Sequence, residues 1–157
     1  SPGRHDLADL ILTNLSIFKE AADSKEISMN FTQIGNSKAF YDKDLLDIII
    51  RNLLSNAVKY TPRGGRISIL LKDKTLTGEG TVLKVCDSGV GIPQVKQKYL
   101  FTATEIVSTP GTENEKGTGL GLKLCQELIR LNNGTLSVES KEGEGTCFSV
   151  ALPEQGQ

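Results

Sequence analysis

The segment from Asp44 to Pro62, DLLDIIIRNLLSNAVKYTP, constrains this chain most, because helical winding puts polar groups where core side chains belong. At about 100° per residue, Leu45, Leu46, Ile49, Ile50, Leu53 and Ala57 share one broad face, with Asp44, Asp47, Arg51 and Ser55 opposite. That is an amphipathic helix. The same winding sets Asn52 and Asn56, one turn apart, inside the apolar half beside Leu45 and Ile49, with Lys59 and Tyr60 a turn further on. A buried amide without a partner costs on the order of 1–3 kcal/mol, so the two asparagines need polar company. An interhelical hydrogen-bond pair, a buried water and a ligand all meet that need. The remaining sequence decides between them.

The chain has 157 residues, 38% hydrophobic and 24% charged, which fits one globular domain with a single core. A formal net charge of −1, and no basic stripe interleaved with aromatics, argue against nucleic-acid binding. Cys86, Cys125 and Cys147 are odd in number and far apart, without CxxC or Cys/His pairing, so neither a disulfide framework nor a zinc site is expected. A reducing cytosol fits such cysteine usage. No run of 18 apolar residues and no signal-peptide pattern occur, so neither a membrane span nor secretion is expected. Residues 1–5 read as a linker or cloning remnant, 6–152 as the domain and 153–157 as a tail.

Asp6 suits the N-cap of a helix whose apolar positions Leu7, Leu10, Ile11, Leu15, Phe18 and Ala22 keep helical spacing to about Asp23. Ile27 to Ile34 alternates loosely, as a half-exposed strand does, and a short extended piece around Ala39 to Tyr41 leads to Asp42, the N-cap of the central helix. Pro62 should stop that helix near Thr61. Arg66 to Asp73 and Thr81 to Asp87 alternate as strands, and the polar link between them predicts an antiparallel hairpin. Gln94 to Phe101 fits a short helix, and Thr102 to Lys116 a long loop of the lid type. A second amphipathic helix follows Gly117, ended by Asn132-Asn133-Gly134, and Thr135 to Ser140 with Thr146 to Leu152 makes a closing hairpin.

Three polar features stand out together: the asparagine-bearing helix, a strand ending in Asp87-Ser-Gly-Val-Gly91, and the glycine-rich helix entry Gly117-Thr-Gly-Leu-Gly-Leu122. Asparagine oxygens are neutral hard ligands, suited to a Mg²⁺ that takes its anionic ligands from phosphates, and Asn56 is the first candidate. Asp87 at a strand end can accept a hydrogen bond from an exocyclic amine such as that of adenine, while Gly89 and Gly91 let backbone approach a flat base. Gly117, Gly119 and Gly121 free backbone N–H groups at a helix N-terminus, where the dipole favours phosphate. Read singly, DxGxG also fits a plain turn and GxGxG also fits close packing.

In order and spacing, the N box Asn52 to Tyr60 and the two glycine boxes resemble the catalytic, ATP-binding domain of sensor histidine kinases, in the superfamily shared with gyrase, heat-shock chaperone and mismatch-repair ATPases. The resemblance covers residues from about 6 to 152. It implies a Bergerat-type two-layer α/β sandwich, with about three helices on one face of a mixed sheet of about five strands, and a lid from about Gln94 to Lys116. It further implies that Asn56 holds Mg²⁺ with Asn52 in support, that Lys59 meets the phosphates and Tyr60 lines the nucleotide, and that Asp87 reads adenine. Gly89, Gly91 and Ile92 then shape the base pocket, and Gly117, Thr118, Gly119, Leu120 and Gly121 contact the phosphates of ATP.

One position separates the superfamily's kinases from its hydrolases. The hydrolases resembled here carry a glutamate base one turn before the Mg²⁺ asparagine; this chain has Asn52, and an amide cannot take a proton from water near neutral pH. The resemblance thus implies transfer of the γ-phosphoryl group to a histidine on a separate dimerisation and phosphoacceptor domain, and then to a response regulator receiver domain. A conformational ATPase and a degenerate regulatory module are the alternatives. Phe101 stands where the family has its first lid phenylalanine, the second is missing, and no arginine occurs between Arg66 and Arg130. Lys116 is then the candidate for the γ-phosphate, with Lys96 and Lys98 behind it. His5, the single histidine, lacks the context of a phosphoacceptor. The expected chain is a cytoplasmic, monomeric catalytic fragment without direct membrane contact.

Overall fold

The computed structural model describes residues 2–36, 38–74, 80–97 and 121–153. In chain order they form β1 (Pro2–Asp6), α1 (Leu7–Ser24), β2 (Ser28–Ile34), β3 (Lys38–Asp42), α2 (Lys43–Tyr60), β4 (Arg66–Lys74) and β5 (Gly80–Asp87). After these come α3 (Gln94–Gln97), α4 (Gly121–Leu131), β6 (Thr135–Lys141) and β7 (Gly145–Leu152). A five-stranded sheet has the order β2-β4-β5-β7-β6, with β2 and β4 parallel and every other pair antiparallel. The β4–β5 hairpin and the closing β6–β7 hairpin are the ones the alternation predicts. Ile67, Ile69 and Leu71 of β4, Leu83 and Val85 of β5, and Phe148, Val150 and Leu152 of β7 all turn to one face and are buried there. Burying that face against α1, α2 and α4 gives the two-layer α/β sandwich.

Both N-caps act as their sequence suggests. Asp6 accepts from the Ala8 amide at 3.0 Å, and Asp42 accepts from the Asp44 and Leu45 amides at 3.0 and 3.2 Å. At the other end of α2 the Thr61 amide and hydroxyl both donate to the Ala57 carbonyl, and Pro62 prevents another turn. Asn133, at φ 60°, supplies the left-handed residue that ends α4, and the Gly134 amide donates to the Ile129 carbonyl.

Three expectations need correction. The buried arc of α2 is Leu46, Ile49, Ile50, Leu53, Leu54, Ala57 and Val58, so its centre lies further round than Leu45, and Asn52 and Asn56 sit half-buried on its flank. The segment preceding α1 is more than a linker: Pro2–Asp6 is a strand that pairs antiparallel with β3 from Pro2↔Asp42 to Asp6↔Lys38, giving the isolated extended piece a hydrogen-bonding partner. His5 there packs against the Tyr41 ring, with centroids 5.3 Å apart. Most plainly, Cys86 and Cys147 are joined by a disulfide. Count and spacing cannot reveal strand register, and the register sets these two residues, 61 apart in sequence, directly opposite each other in β5 and β7. Cys125 is buried and free.

A buried cation fixes the end of α2. Lys25 follows α1 and sends its Nζ to the Val58 carbonyl at 2.8 Å and the Lys59 carbonyl at 3.3 Å, where the helix dipole favours positive charge. Its own carbonyl accepts from the Gly64 amide at 2.8 Å, so the α2–β4 turn is tied to the same point. Replacing Lys25→Met keeps the stem but strands two carbonyls; urea unfolding should show a loss of about 2 kcal/mol, as expected for hydrogen bonds to a charged group.

Candidate functional site

The site is built where β5 runs out. Beyond Asp87 the chain doubles back over the C-terminus of α2, and the Val90 amide donates to the Tyr60 carbonyl at 3.3 Å. A Cβ at Gly89 would stand 2.6 Å from that carbonyl oxygen and 2.6 Å from Asp87 Oδ1, so only glycine lets the loop lie this close. Gly91 adopts φ +73°, and a side chain there would run into the Lys141 carbonyl. The other side of the loop is held by the β6–β7 hairpin. Ser140 Oγ accepts from the Ile92 amide at 2.8 Å, the Gly143 amide donates to the Val90 carbonyl at 2.7 Å, and Gln97 Nε2 donates to the Ile92 and Ser140 carbonyls at 2.9 and 3.1 Å.

Asp87 is half-buried at the strand end, and its Oδ1 accepts from the Gly89 amide at 2.9 Å. Burial pushes its pKa up to about 6, against the pull of backbone N–H groups from Gly89 and Thr146. A desolvated carboxylate held in one orientation by backbone is the kind of group that functional sites select.

Across the loop, α2 presents its polar flank. Tyr60 is half-buried, and Lys59, 8% exposed, holds its Nζ 4.7 Å from the centroid of the Tyr60 ring. Asn52 Nδ2 donates to the Ile48 carbonyl at 2.8 Å, while its Oδ1 lies 2.5 Å from where a Cβ on Gly121 would stand. The flank of α2 thus touches the Asp87 loop at Tyr60 and the first residue of α4 at Asn52, and half-buried Asn56 lies one turn from each. Its side chain makes no hydrogen bond to another described residue. Phe101, Lys116, Gly117, Thr118, Gly119 and Leu120, together with the lid loop, lie outside the described residues.

Sequence reasoning missed Ser140, Gln97, Thr146 and Lys25. Ser140 acts on the Ile92 amide, Gln97 on the Ser140 carbonyl and Lys25 on the α2 carbonyls, contacts between distant segments that no local motif announces. Register was the available signal for Thr146, which stands opposite Asp87 in the β5–β7 pair.

Among the described residues no group of three or more His, Cys, Asp or Glu side chains could hold a metal ion. The donors near Asn56 are neutral amides. Such a set suits a cation whose negative ligands arrive with a phosphate-bearing ligand rather than a metal held by protein alone.

A flank of amides, a strand-end carboxylate and a helix opening on glycine come together at one end of the α/β sandwich, and comparison with known proteins gives the family. Residues 41–156 match the family described as Histidine kinase-, DNA gyrase B-, and HSP90-like ATPase, and the chain belongs to that family. Within it, relatives of this chain include sensor histidine kinases. The adaptive-response sensory kinase SasA of Rippkaea orientalis is 33% identical over 147 residues, 92% of this chain and 35% of the relative. The nucleotide-free catalytic domain of histidine kinase ThkA superposes with a TM-score of 0.83 at 25% identity, covering 98% of this chain and 96% of that one. ThkA solved in complex with the response regulator protein TrrA superposes at 0.77, with 22% identity, over 98% of this chain and 42% of that one. The chain therefore spans about a third of the length of the curated relative and nearly all of the isolated catalytic domain.

The raised Asp87 pKa makes a stability prediction with a definite sign. A carboxyl whose folded pKa lies above its unfolded value costs stability once ionised, and that cost is relieved as pH falls through about 6 toward the unfolded value near 4. Asp87→Asn does not titrate. The unfolding free energy of Asp87→Asn minus that of the parent chain should therefore shrink by on the order of 2 kcal/mol between pH 8 and pH 4; a difference independent of pH would show that burial does not perturb this carboxyl.

Proposed function

We propose that this chain is the Mg·ATP-binding catalytic domain of a sensor histidine kinase, supplying the γ-phosphoryl group to a histidine on a separate dimerisation and phosphoacceptor domain. The observation that carries the reading is the junction of α2 with the Asp87 loop. It sets a half-buried strand-end carboxylate at one side of a helix flank whose next polar groups are Tyr60, Lys59 and Asn56. Asp87 receives the adenine amine, Gly89, Gly91 and Ile92 wall the base, and Tyr60 lines the nucleotide. Lys59, Asn56 and the entry of α4 at Gly121, with Gly117 to Leu120 before it, take the phosphates, and Lys116 of the lid is the candidate for the γ-phosphate. Asn56, supported by Asn52, would hold Mg²⁺, which when bound offsets the charge of the β- and γ-phosphates.

In the transfer step an imidazole nitrogen of the acceptor attacks the γ-phosphorus, the bond to the β–γ bridging oxygen breaks, and ADP leaves with that electron pair. An imidazole is nucleophilic without a strong base, so the chain's task is to bind, orient and exclude water. Asn52 suits that task, because its amide cannot activate water and its Nδ2 is engaged by the Ile48 carbonyl. A self-contained ATPase lacks its base here. On this reading the domain spans residues 6–152, works as a monomer in the cytoplasm, and its parent protein passes the phosphoryl group to a response regulator, as the solved ThkA complex with TrrA suggests. Among the described residues no helix is long and apolar enough to cross a membrane.

Calorimetric titration with ADP and a nonhydrolysable ATP analogue, with and without Mg²⁺ and with GTP as control, tests the site. Asn56→Ala should remove the Mg²⁺-dependent part of the affinity and abolish transfer to a supplied acceptor domain, whereas Asp87→Asn should erode the preference for adenine over guanine. Unchanged titrations for both variants would remove the assignment.

Adenine binding favours ionised Asp87, so affinity should fall about fourfold from pH 7.5 to 5.5 for a group titrating near 6. Isothermal titrations at both values check this, and the step should be absent in Asp87→Asn.

A further inference from the structure

The disulfide lies next to the residue on which nucleotide recognition turns. Cys86 precedes Asp87 in β5, Cys147 follows Thr146 in β7, and the two pairs Cys86↔Cys147 and Asp87↔Thr146 are successive rungs of one antiparallel ladder. Alternation sends their side chains to opposite faces of the sheet. Asp87 and Thr146 sit toward the helices, while Cys86 and Cys147 sit on the face away from the described helices, half-exposed, in a row with exposed Ser68 and Glu139. At a Cα separation of 4.0 Å the cysteine pair falls in the closely spaced, non-hydrogen-bonded class, so the sulfur bond is what links the strands at that rung.

We propose that the Cys86–Cys147 bridge is a thiol–disulfide exchange site through which a dithiol reductant lowers the affinity of the neighbouring nucleotide site. In the exchange one thiolate of the reductant attacks a sulfur of the bridge, the Cys86–Cys147 bond breaks, and the departing sulfur takes up a proton. The second reductant thiol then displaces the remaining cysteine, which is protonated in turn. Two electrons and two protons pass to the protein, and the reductant leaves as its own disulfide.

Two free thiols need van der Waals separation where a bond now holds the sulfurs, so reduction widens β5 from β7 at this rung. The next rung, Asp87↔Thr146, is the strand end from which the Asp87 carboxylate is presented. Loosening it releases the acceptor that the adenine amine needs. Cys125 takes no part: it is fully buried, and burial pushes its thiol up to about 12, so it stays protonated and out of reach. The choice of a switch over a permanent staple rests on the proposed cytoplasmic setting, where protein disulfides are transient and redox-sensing.

The experiment uses the folded chain, oxidised or treated with dithiothreitol, with thiols counted by alkylation and mass spectrometry. Native reduction should raise the alkylatable thiols at Cys86 and Cys147 while Cys125 stays protected, and should speed amide exchange at Asp87 and Thr146. ADP binding should weaken about fivefold, on the order of 1 kcal/mol. Linkage then requires saturating ADP to make the bridge harder to reduce by the same factor, about 20 mV for a two-electron couple. Cys125→Ala should keep the response, and the double variant Cys86→Ser/Cys147→Ser should bind ADP like the reduced chain whatever the reagent.

A bridge that resists dithiothreitol until the chain is unfolded, or that is reduced without change in amide exchange or ADP affinity, would overturn the proposal. If neither state bound ADP, the proposed function would fall, and the exchange site would be decided by thiol counting and amide exchange alone: reversible native reduction with faster exchange at Asp87 and Thr146 upholds it, and anything else removes it.

Discussion

The C-terminus of α2 is where this fold commits its most specific interactions. Three successive carbonyls there face partners from outside the helix: Val58 and Lys59 meet the buried ammonium of Lys25, and Tyr60 meets the Val90 amide. A helix end normally leaves such groups to water or to a cap. Here they register α2 against both the α1–β2 turn and the loop after β5. The apolar arc of α2 sets its distance from the sheet, but apolar packing is non-directional and does not by itself fix rotation or axial position. The carbonyl partners do both, and they thereby place Asn56, Lys59 and Tyr60 relative to Asp87.

The opposite wall is rigid for a different reason. The loop after Asp87 carries two glycines because backbone approaches it from both sides: Tyr60 from α2 at Gly89, and Lys141 from the β6–β7 hairpin at Gly91. Ser140, with hydrogen bonds to the Ile92 amide and the Gly145 carbonyl and a third shared with Thr146 Oγ1, works as a half-buried fastener between loop and hairpin. A hydroxyl can do this where a longer side chain cannot, since it offers one donor and two acceptor positions on a single small group. The site is thus a gap between two elements that are each braced against the sheet, which is the condition for preorganised recognition.

Most of the architecture could be read from the sequence because it rests on periodicity and caps. The helices α1 and α2, their aspartate caps, the β4–β5 and β6–β7 hairpins and the stop at Pro62 all follow from local rules. What escaped was non-local. The Cys86–Cys147 bond, the Thr146 contact to Asp87 and the Ser140 fastener depend on strand register between segments far apart in the chain, and no residue count reveals it. The pairing of Pro2–Asp6 with β3 was hidden for a related reason: a strand with one short partner and no alternating apolar face gives no periodic signal. For the site, the sequence named Asn52, Asn56, Lys59, Tyr60 and Asp87 as a set but exaggerated the burial of the asparagines. A helical wheel fixes angular order and not where the core's centre falls along it.

The flank position of the asparagines bears on which chemistry the proposed site can run. Had Asn52 been fully buried its amide would need both its donors and its acceptor satisfied by protein, leaving nothing for a ligand. On the flank it spends one donor on the Ile48 carbonyl, and its oxygen lies against Gly121 at the opening of α4. It therefore braces α2 against the helix entry from which, on the proposed reading, the phosphates are held, while Asn56 one turn on makes no side-chain hydrogen bond to another described residue. A glutamate in place of Asn52 would lose the donor that reaches Ile48 and bring a negative charge toward that entry. That substitution trades a brace for a base. The residue present favours a domain that holds its nucleotide still for an external nucleophile over one that activates water itself.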